Sequence, residues 1–244
     1  MNSSYQEFKT LAKGSGPEVY FNALYLHISY PLSYLLVRLK FSPNTVTYLS
    51  ILCALGGGML MVGSFPVMGC LFFMLSYLLD FCDGSVARFL MRSGGVRTDF
   101  DRERGKLLEN VNSNVGYFML FFSVGYYLWN TTHDVRYLLI GFVAYGVKMI
   151  LRYTNIQAAI LYKPFSSQES GTPSPLEAFQ GSWKNKIKFT FSKCVFAANF
   201  YFIVYLVIFL FFPAFAPMMF FYYSAADIAY SLLRLGKVAL QTKP

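Results

Sequence analysis

The chain has little charge for its length. Only 14% of its 244 residues are Asp, Glu, Lys or Arg, whereas about 25% is typical of soluble proteins. In contrast, 55% of the residues are hydrophobic and 19% are aromatic. Several apolar runs approach the roughly 20 residues that a membrane-crossing helix needs. These proportions exclude an ordinary soluble domain and predict an all-α integral membrane protein.

The chain also has few residues of the kinds that bind zinc or form disulfide frameworks. Its 2 histidines lie far apart, and its 4 cysteines are scattered without the spacing of a metal or disulfide site. We therefore expect the cysteines to be small apolar core residues. Residues 1–20 are mixed and polar, so we expect no cleavable signal peptide.

Apolar runs predict one membrane domain, residues 1–244, with two parts. Residues 17–40 form an N-terminal interfacial amphipathic helix, because aromatic and leucine side chains recur there at helical spacing. Residues 45–235 form a bundle of six transmembrane helices. The predicted spans are approximately residues 45–62, 67–87, 106–129, 135–161, 187–212 and 218–235. Charged residues predict a loop at 89–104, and polar residues predict another at 163–183.

Positive charge is distributed unevenly among the connecting segments. The formal net charge is +9, which could indicate a nucleic-acid partner if it formed one patch. Lysine and arginine instead cluster at alternate connections, and the opposite side holds only Arg136. By the positive-inside rule, both termini and the polar end of the second predicted span, residues 80–88, face the cytoplasm. The charge therefore indicates topology and attraction to anionic lipids, and we expect no nucleic-acid partner.

The second apolar run ends in a polar stripe. Its members share one helix face because they lie three or four residues apart, and they are Asp80, Asp83, Gly84, Ala87 and Arg88. Ionisable residues inside a membrane span are costly and usually functional. Two carboxylates, a gap without a side chain and a guanidinium are the groups needed to hold Mg²⁺ and a phosphate ester. A snorkelling helix end would explain one charge but not this set.

The stripe resembles the first half of a known signature, that of the CDP-alcohol phosphatidyltransferase family. That signature reads Asp-x2-Asp-Gly-x2-Ala-Arg, followed by Gly-x3-Asp-x3-Asp. Upstream, Pro43, Asn44 and Thr47 resemble the Pro-Asn-x-x-Thr entry to the family's first span. The resemblance implies transfer of a phosphatidyl or other substituted phosphoryl group from a CDP-alcohol, such as CDP-diacylglycerol, to a hydroxyl acceptor. CMP would be released, in phospholipid biosynthesis.

The second half of the signature departs from the family pattern, and two registers are open. In the preferred register, Gly105 takes the glycine position, Glu109 replaces the third aspartate and Ser113 replaces the fourth. In the other register, which keeps all four carboxylates, the positions are filled by Gly95, Asp99 and Glu103. Residues 98–104 carry too many charges to begin a membrane helix, which favours the first register.

The resemblance also implies roles for individual residues. Asp80, Asp83 and Glu109 would hold Mg²⁺ or Mn²⁺, since both ions prefer oxygen ligands. Residues expected on the nucleotide side are Asn44, Thr47, Asp80, Gly84, Ala87, Arg88 and Gly105. The fourth carboxylate of the family would act as general base, a role that Ser113 does not fill at neutral pH.

Three hypotheses about the missing base stay open. A single metal held by the three carboxylates could suffice. The base could instead come from Asp99, Asp101 or Glu103. Alternatively, the chain is a catalytically weak or inactive relative that acts as a nucleotide-binding or lipid-binding regulatory membrane protein. Besides an enzyme and a regulatory protein, a third functional class is a small transporter with a carboxylate relay. A transporter would move a solute across the membrane without depending on CDP.

Two cations lie four residues apart in the fourth predicted span. Lys148 and Arg152 would repel each other unless an anion neutralises them. An acceptor phosphate or a lipid headgroup would do so, and the first of these predicts a polyol-phosphate acceptor bound by both residues. The alternative is that Arg152 snorkels and that Lys148 pairs with Asp227 or Glu109.

The expected partners are a CDP-linked lipid or other CDP-alcohol donor, an alcohol or polyol-phosphate acceptor, and membrane lipids. The resemblance implies a homodimer. We expect a bacterial inner membrane, with a eukaryotic endomembrane as the alternative.

Overall fold

A computed structural model describes residues 4–13, 20–93, 99–162 and 198–241. Within these ranges the chain is helical and has no strand, which confirms the all-α prediction. The helices are α1 (Tyr5–Ala12), α2 (Tyr20–Arg38), α3 (Pro43–Val62), α4 (Pro66–Arg92), α5 (Asp99–Thr132), α6 (Arg136–Tyr162), α7 (Ala198–Phe211) and α8 (Ala216–Gln241). A short 3₁₀ helix, Pro213–Phe215, joins α7 to α8.

N-cap serines and first-turn prolines mark where the helices α1, α3 and α4 begin. Ser4 Oγ accepts a hydrogen bond of 3.3 Å from the Glu7 backbone N–H at the start of α1, and Ser-x-x-Glu is the spacing of a capping box. Ser42 Oγ accepts a bond of 3.1 Å from the Thr45 N–H at the start of α3. Proline occupies the first turn of both α3 and α4, where its missing N–H leaves no bond unmade.

The predicted loop 89–104 is wrong in its limits. Helix α4 continues to Arg92, and α5 already begins at Asp99. The charged residues at the start of α5 are helical. Helix α5 has 34 residues and is about 50 Å long, which is longer than the hydrocarbon core of about 30 Å. The charged first turns of α5 can therefore extend into water. The predicted loop 163–183 and the first part of the fifth span lie outside the described residues.

Glycines bring the bundle helices into backbone contact in two places. A Cβ atom added to Gly57 would lie 3.0 Å from the Gly69 carbonyl oxygen, so α3 and α4 pack closely. A Cβ atom on Gly141 would lie 2.6 Å from the Phe121 carbonyl oxygen, so α5 and α6 do the same. Small residues at crossings are typical of helix packing in membranes.

The surface is consistent with a lipid environment. Helices α3 and α4 are long and apolar enough to cross a membrane by length and composition, and α7 contains a shorter apolar stretch, Phe202–Phe211. Large apolar side chains such as Leu52 and Met59 are 62% and 74% exposed, which water would disfavour. Only two helices of the described residues pass this test, so six spans stay a prediction.

Candidate active site

Neighbouring helices hold the two aspartates of α4. Thr47 Oγ1 on α3 donates a hydrogen bond of 2.6 Å to Asp83 Oδ2. Asn112 Nδ2 on α5 donates one of 2.7 Å to Asp80 Oδ1. Asn44, also predicted from the sequence, lies one turn before Thr47 and is half-buried. Three helices therefore converge on the pair, and hydrogen bonds orient both carboxylates.

A buried polar network fixes the orientation of the Asn112 amide. The Ser50 hydroxyl lies 3.1 Å from Asn112 Oδ1 and 2.8 Å from the Ser76 carbonyl oxygen, and its single hydrogen is available to either acceptor. Ser50, Ser76 and Asn112 are all buried. Because a hydroxyl donor faces Oδ1, the amide nitrogen faces Asp80.

Sequence reasoning missed this network. Its signal was Asn112 itself, an amide in the predicted third span, because amides inside membrane spans often form hydrogen bonds across helices.

The remaining members of the stripe lie on the same face of α4, as predicted. A Cβ atom on Gly84 would lie 3.2 Å from Arg88 Nη1, so the guanidinium covers the gap at Gly84. It also interacts electrostatically with Asp83. Arg88 Nε donates a bond of 2.7 Å to the Ala12 carbonyl oxygen, and Nη2 donates one of 3.2 Å to Ser85 Oγ. Ala87 is half-buried beside it.

The second half of the predicted signature lies on α5. Gly105 is half-buried within the helix, whereas Glu109 is exposed and interacts electrostatically with Asp80 and Asp83. Ser113 Oγ donates a bond of 3.0 Å to the Glu109 carbonyl oxygen. The side chain that contacts Asp80 is Asn112, one position before Ser113.

The predicted metal triad of Asp80, Asp83 and Glu109 is not assembled. Within residues 4–13, 20–93, 99–162 and 198–241, no group of three His, Cys, Asp or Glu side chains is arranged to hold a metal ion. The two aspartates nevertheless fit one Mg²⁺, which proteins usually bind through one or two carboxylates and substrate phosphates. Each carboxylate has about four lone-pair sites, so one hydrogen bond leaves capacity for a cation.

The two cations of α6 have different surroundings. Lys148 Nζ lies 2.6 Å from Asp227 Oδ1 on α8, and their side chains are 17% and 0% exposed. The ammonium also lies 4.8 Å from the centre of the Tyr117 ring. Pairing with Asp227, the alternative open in the sequence, is therefore what the structure shows. The prediction that Lys148 binds an acceptor phosphate is corrected, since a buried carboxylate already neutralises this cation.

Arg152 lies nearer the candidate site. Its Nη2 donates a hydrogen bond of 2.7 Å to Asn110 Oδ1. It also interacts electrostatically with Asp80. Because Asn110 is neutral, this hydrogen bond does not itself neutralise the guanidinium.

A cavity adjoins Asp80 on the side away from Arg88. Its volume is about 80 Å³, and its lining includes Asn112, Ser113 and Gly116 of α5 with aromatic side chains of α4 and α7. A Cβ atom on Gly116 would have no neighbour within 4 Å in the part of the chain that the structure describes. Gly116 therefore leaves space in the cavity and does not serve close helix packing.

A model of the CDP-alcohol phosphatidyltransferase family matches residues 40–226. This range contains the aspartate pair, Arg88 and Asn112, and it begins after α2. The chain therefore belongs to the CDP-alcohol phosphatidyltransferase family, a membrane-bound family of transferases. A sequence comparison with curated proteins gave no match.

Proposed function

We propose that the protein transfers a substituted phosphoryl group from a CDP-alcohol to a hydroxyl acceptor and releases CMP. With CDP-diacylglycerol as donor, the group is phosphatidyl and the pathway is phospholipid biosynthesis. The observation that carries the proposal is the aspartate pair on α4, held by Thr47 and Asn112 beside the gap at Gly84. Membership in a transferase family supports it.

The proposed topology is a single membrane domain with six spans, in which both termini and the site face the cytoplasm. The positive-inside rule supports this orientation. A bacterial inner membrane and a homodimer complete the proposal, as the sequence led us to expect.

In the proposed reaction, the chain's residues bind and orient the donor. Asp80 and Asp83 would hold Mg²⁺ or Mn²⁺. The ion would neutralise charge that develops on the leaving nucleotide. The Arg88 guanidinium would contact a phosphate of the donor, and Gly84 would let the nucleotide approach the helix backbone.

The acceptor would bind on the side of Arg152. Its guanidinium is hydrogen-bonded to the neutral Asn110 and interacts electrostatically with Asp80. A guanidinium beside the site suits an alcohol that carries a phosphate. Ser113 Oγ donates to a backbone carbonyl and has no negative charge, so it does not replace the family's base. We propose that the proton of the acceptor hydroxyl passes to the exposed carboxylate of Glu109.

The second candidate function is regulatory binding without turnover. The changes at Glu109 and Ser113, the two positions where the family signature has aspartate, favour it. This reading predicts that CDP binds and that no CMP is released.

The deciding experiment measures CMP release by purified protein with CDP-diacylglycerol and Mg²⁺ or Mn²⁺. The acceptor panel would contain glycerol 3-phosphate, an inositol phosphate and uncharged polyols. Asp83→Asn should abolish release, whereas Asp134→Asn, which removes a carboxylate from the α5–α6 link, should leave it unchanged. CDP binding without release by any acceptor would support the regulatory function instead.

A further inference from the structure

Helix α1 lies against the candidate site although it falls outside the residues that match the family. The matched range begins at residue 40, whereas α1 spans Tyr5–Ala12. Its partner is the end of α4 that carries the signature arginine.

A small apolar core fixes α1 to α4. Phe8 and Ala12 are fully buried, as is Phe89 of α4. The rings of Phe8 and Phe89 have centroids 5.0 Å apart, and the Phe8 ring lies 5.7 Å from that of Tyr34 on α2. Because aromatic burial is a large apolar contribution, α1 is a packed element and not a loose terminal extension.

Two arginines of α4 bind the last turn of α1. Arg88 Nε donates to the Ala12 carbonyl oxygen at 2.7 Å. One turn later, Arg92 Nη1 donates to the carbonyl oxygens of Leu11 and Lys13 at 2.9 and 2.8 Å. The last carbonyls of a helix have no partner within the helix and carry partial negative charge. They are therefore good acceptors for guanidinium groups.

These contacts fix the plane of the Arg88 guanidinium. Its Nε is held by Ala12 and its Nη2 by Ser85 Oγ. The group is planar, with five N–H donors in fixed directions, so two anchored nitrogens determine where the third points. The third nitrogen, Nη1, lies over the gap at Gly84.

We propose that α1 is a positioning element, whose last-turn carbonyl oxygens orient Arg88 toward a phosphate of the CDP-linked donor. The inference rests on the proposed function, since it assigns the space over Gly84 to that donor. Phe8 is a positioning residue because it holds α1 in place without contacting the space over Gly84.

The test compares full-length variants that undock α1 with variants that leave it docked. Phe8→Ala removes the buried ring, Phe8→Leu keeps most of its apolar volume, and Gln6→Ala changes an exposed position on the same helix. Affinity for CDP, measured by titration calorimetry in detergent, is read alongside KM and kcat for CMP release.

Undocking should weaken the donor site selectively. We expect Phe8→Ala to raise the dissociation constant of CDP and the KM of CDP-diacylglycerol about tenfold, roughly the loss of one charge-assisted hydrogen bond. The KM of the acceptor should not change. Phe8→Leu should recover most of the affinity, and Gln6→Ala should behave as wild type.

A double-variant cycle separates positioning from general destabilisation. In an Arg88→Ala background, Phe8→Ala should cause no further loss of CDP affinity, because the residue through which it acts is gone. Additive losses would overturn the proposal, and so would unchanged or tighter CDP binding in Phe8→Ala. If Phe8→Ala does not fold, Arg92→Ala, with Arg92→Lys as its conservative control, provides the same comparison.

The binding measurement also separates this inference from the proposed function. Wild-type protein that binds CDP but releases no CMP would refute the transferase and leave the positioning of Arg88 standing. Wild-type protein that releases CMP while Phe8→Ala keeps its CDP affinity would refute the positioning alone.

Discussion

Asn112 Nδ2 donates a hydrogen bond of 2.7 Å to Asp80 Oδ1, so a neutral amide faces the first carboxylate of the signature. The buried Ser50 hydroxyl faces the amide oxygen and holds this orientation. The pair of aspartates is therefore organised by uncharged donors from α3 and α5. This arrangement determines how the site should respond to substitution and to metal ions.

Replacing the amide should make stability depend on a divalent ion. Asn112→Asp would bring a third carboxylate against Asp80 and remove a hydrogen bond, so like charges would repel without metal. We expect the variant to unfold at a lower temperature than wild type in EDTA, and to recover in Mg²⁺ or Mn²⁺. Asn130→Asp, at the exposed end of α5, is the matched control. If Mg²⁺ raised the unfolding temperatures of Asn112→Asp and Asn130→Asp equally, a metal site at Asp80 would be contradicted.

Removing the Thr47 hydroxyl should impair catalysis more than folding. Thr47→Val keeps the shape of the side chain but loses the 2.6 Å bond to Asp83. A hydrogen bond to a charged group contributes about 1.5–3 kcal/mol, so we expect CMP release to fall by about tenfold or more. Thr47→Ser, which keeps the hydroxyl, should retain most activity. Similar kcat/KM values for Thr47→Val and Thr47→Ser would show that this hydrogen bond does not orient Asp83.

The ion pair between α6 and α8 should matter for folding and not for acceptor binding. Lys148→Met would leave Asp227, which is 0% exposed, without its cation. Breaking a buried pair costs about 3–5 kcal/mol, visible as a lower midpoint in thermal or denaturant unfolding. Combining Lys148→Met with Asp227→Leu should restore much of this loss. If the stable double variant had a changed KM for the acceptor, Lys148 would instead be a residue that binds the acceptor.

Filling the cavity beside Asp80 should reduce activity without loosening the bundle. Among the described residues, a Cβ atom at Gly116 or at Gly146 meets nothing within 4 Å, so a side chain has room to begin at both positions. Of these two glycines, Gly116 lines the cavity of about 80 Å³ and Gly146 does not. We therefore expect Gly116→Val to lower kcat/KM and Gly146→Val to leave it unchanged, with similar unfolding temperatures. Full activity of Gly116→Val would show that substrates do not enter this cavity.

The stabilisation that Asp134 and Arg136 give to the link between α5 and α6 should be lost at low pH. Hydrogen bonds from Arg136 lower the pKa of the Asp134 carboxyl from its ordinary value, which is about 3.9 in an unfolded chain. The folded-state pKa is thus depressed, so the stabilisation is present above about pH 4 and is lost as pH falls through the folded value. The unfolding temperatures of wild type and Asp134→Asn should therefore differ at pH 6 and converge as the pH falls below the folded-state pKa of Asp134. A difference that persists at low pH would assign the effect to something other than ionisation.

Sequence alone determined the features that depend on spacing within one helix. The apolar runs predicted α3 and α4 closely, and the three- and four-residue spacing placed Asp80, Asp83 and Arg88 on one face. Within a helix, geometry follows directly from the number of intervening residues. The capping-box spacing of Ser4 and Glu7 was also present in the sequence, although we did not recognise α1 from it.

Only the tertiary structure decided which side chains meet across helices. The contacts of Asn112 with Asp80, Lys148 with Asp227 and Arg88 with Ala12 join residues 32, 79 and 76 positions apart in the chain. Their partners depend on how closely the helices approach and how each is rotated, which glycine contacts and aromatic packing determine together. The sequence therefore predicted the signature carboxylates, whereas interhelical packing decided that uncharged donors hold them and that α1 binds the signature arginine.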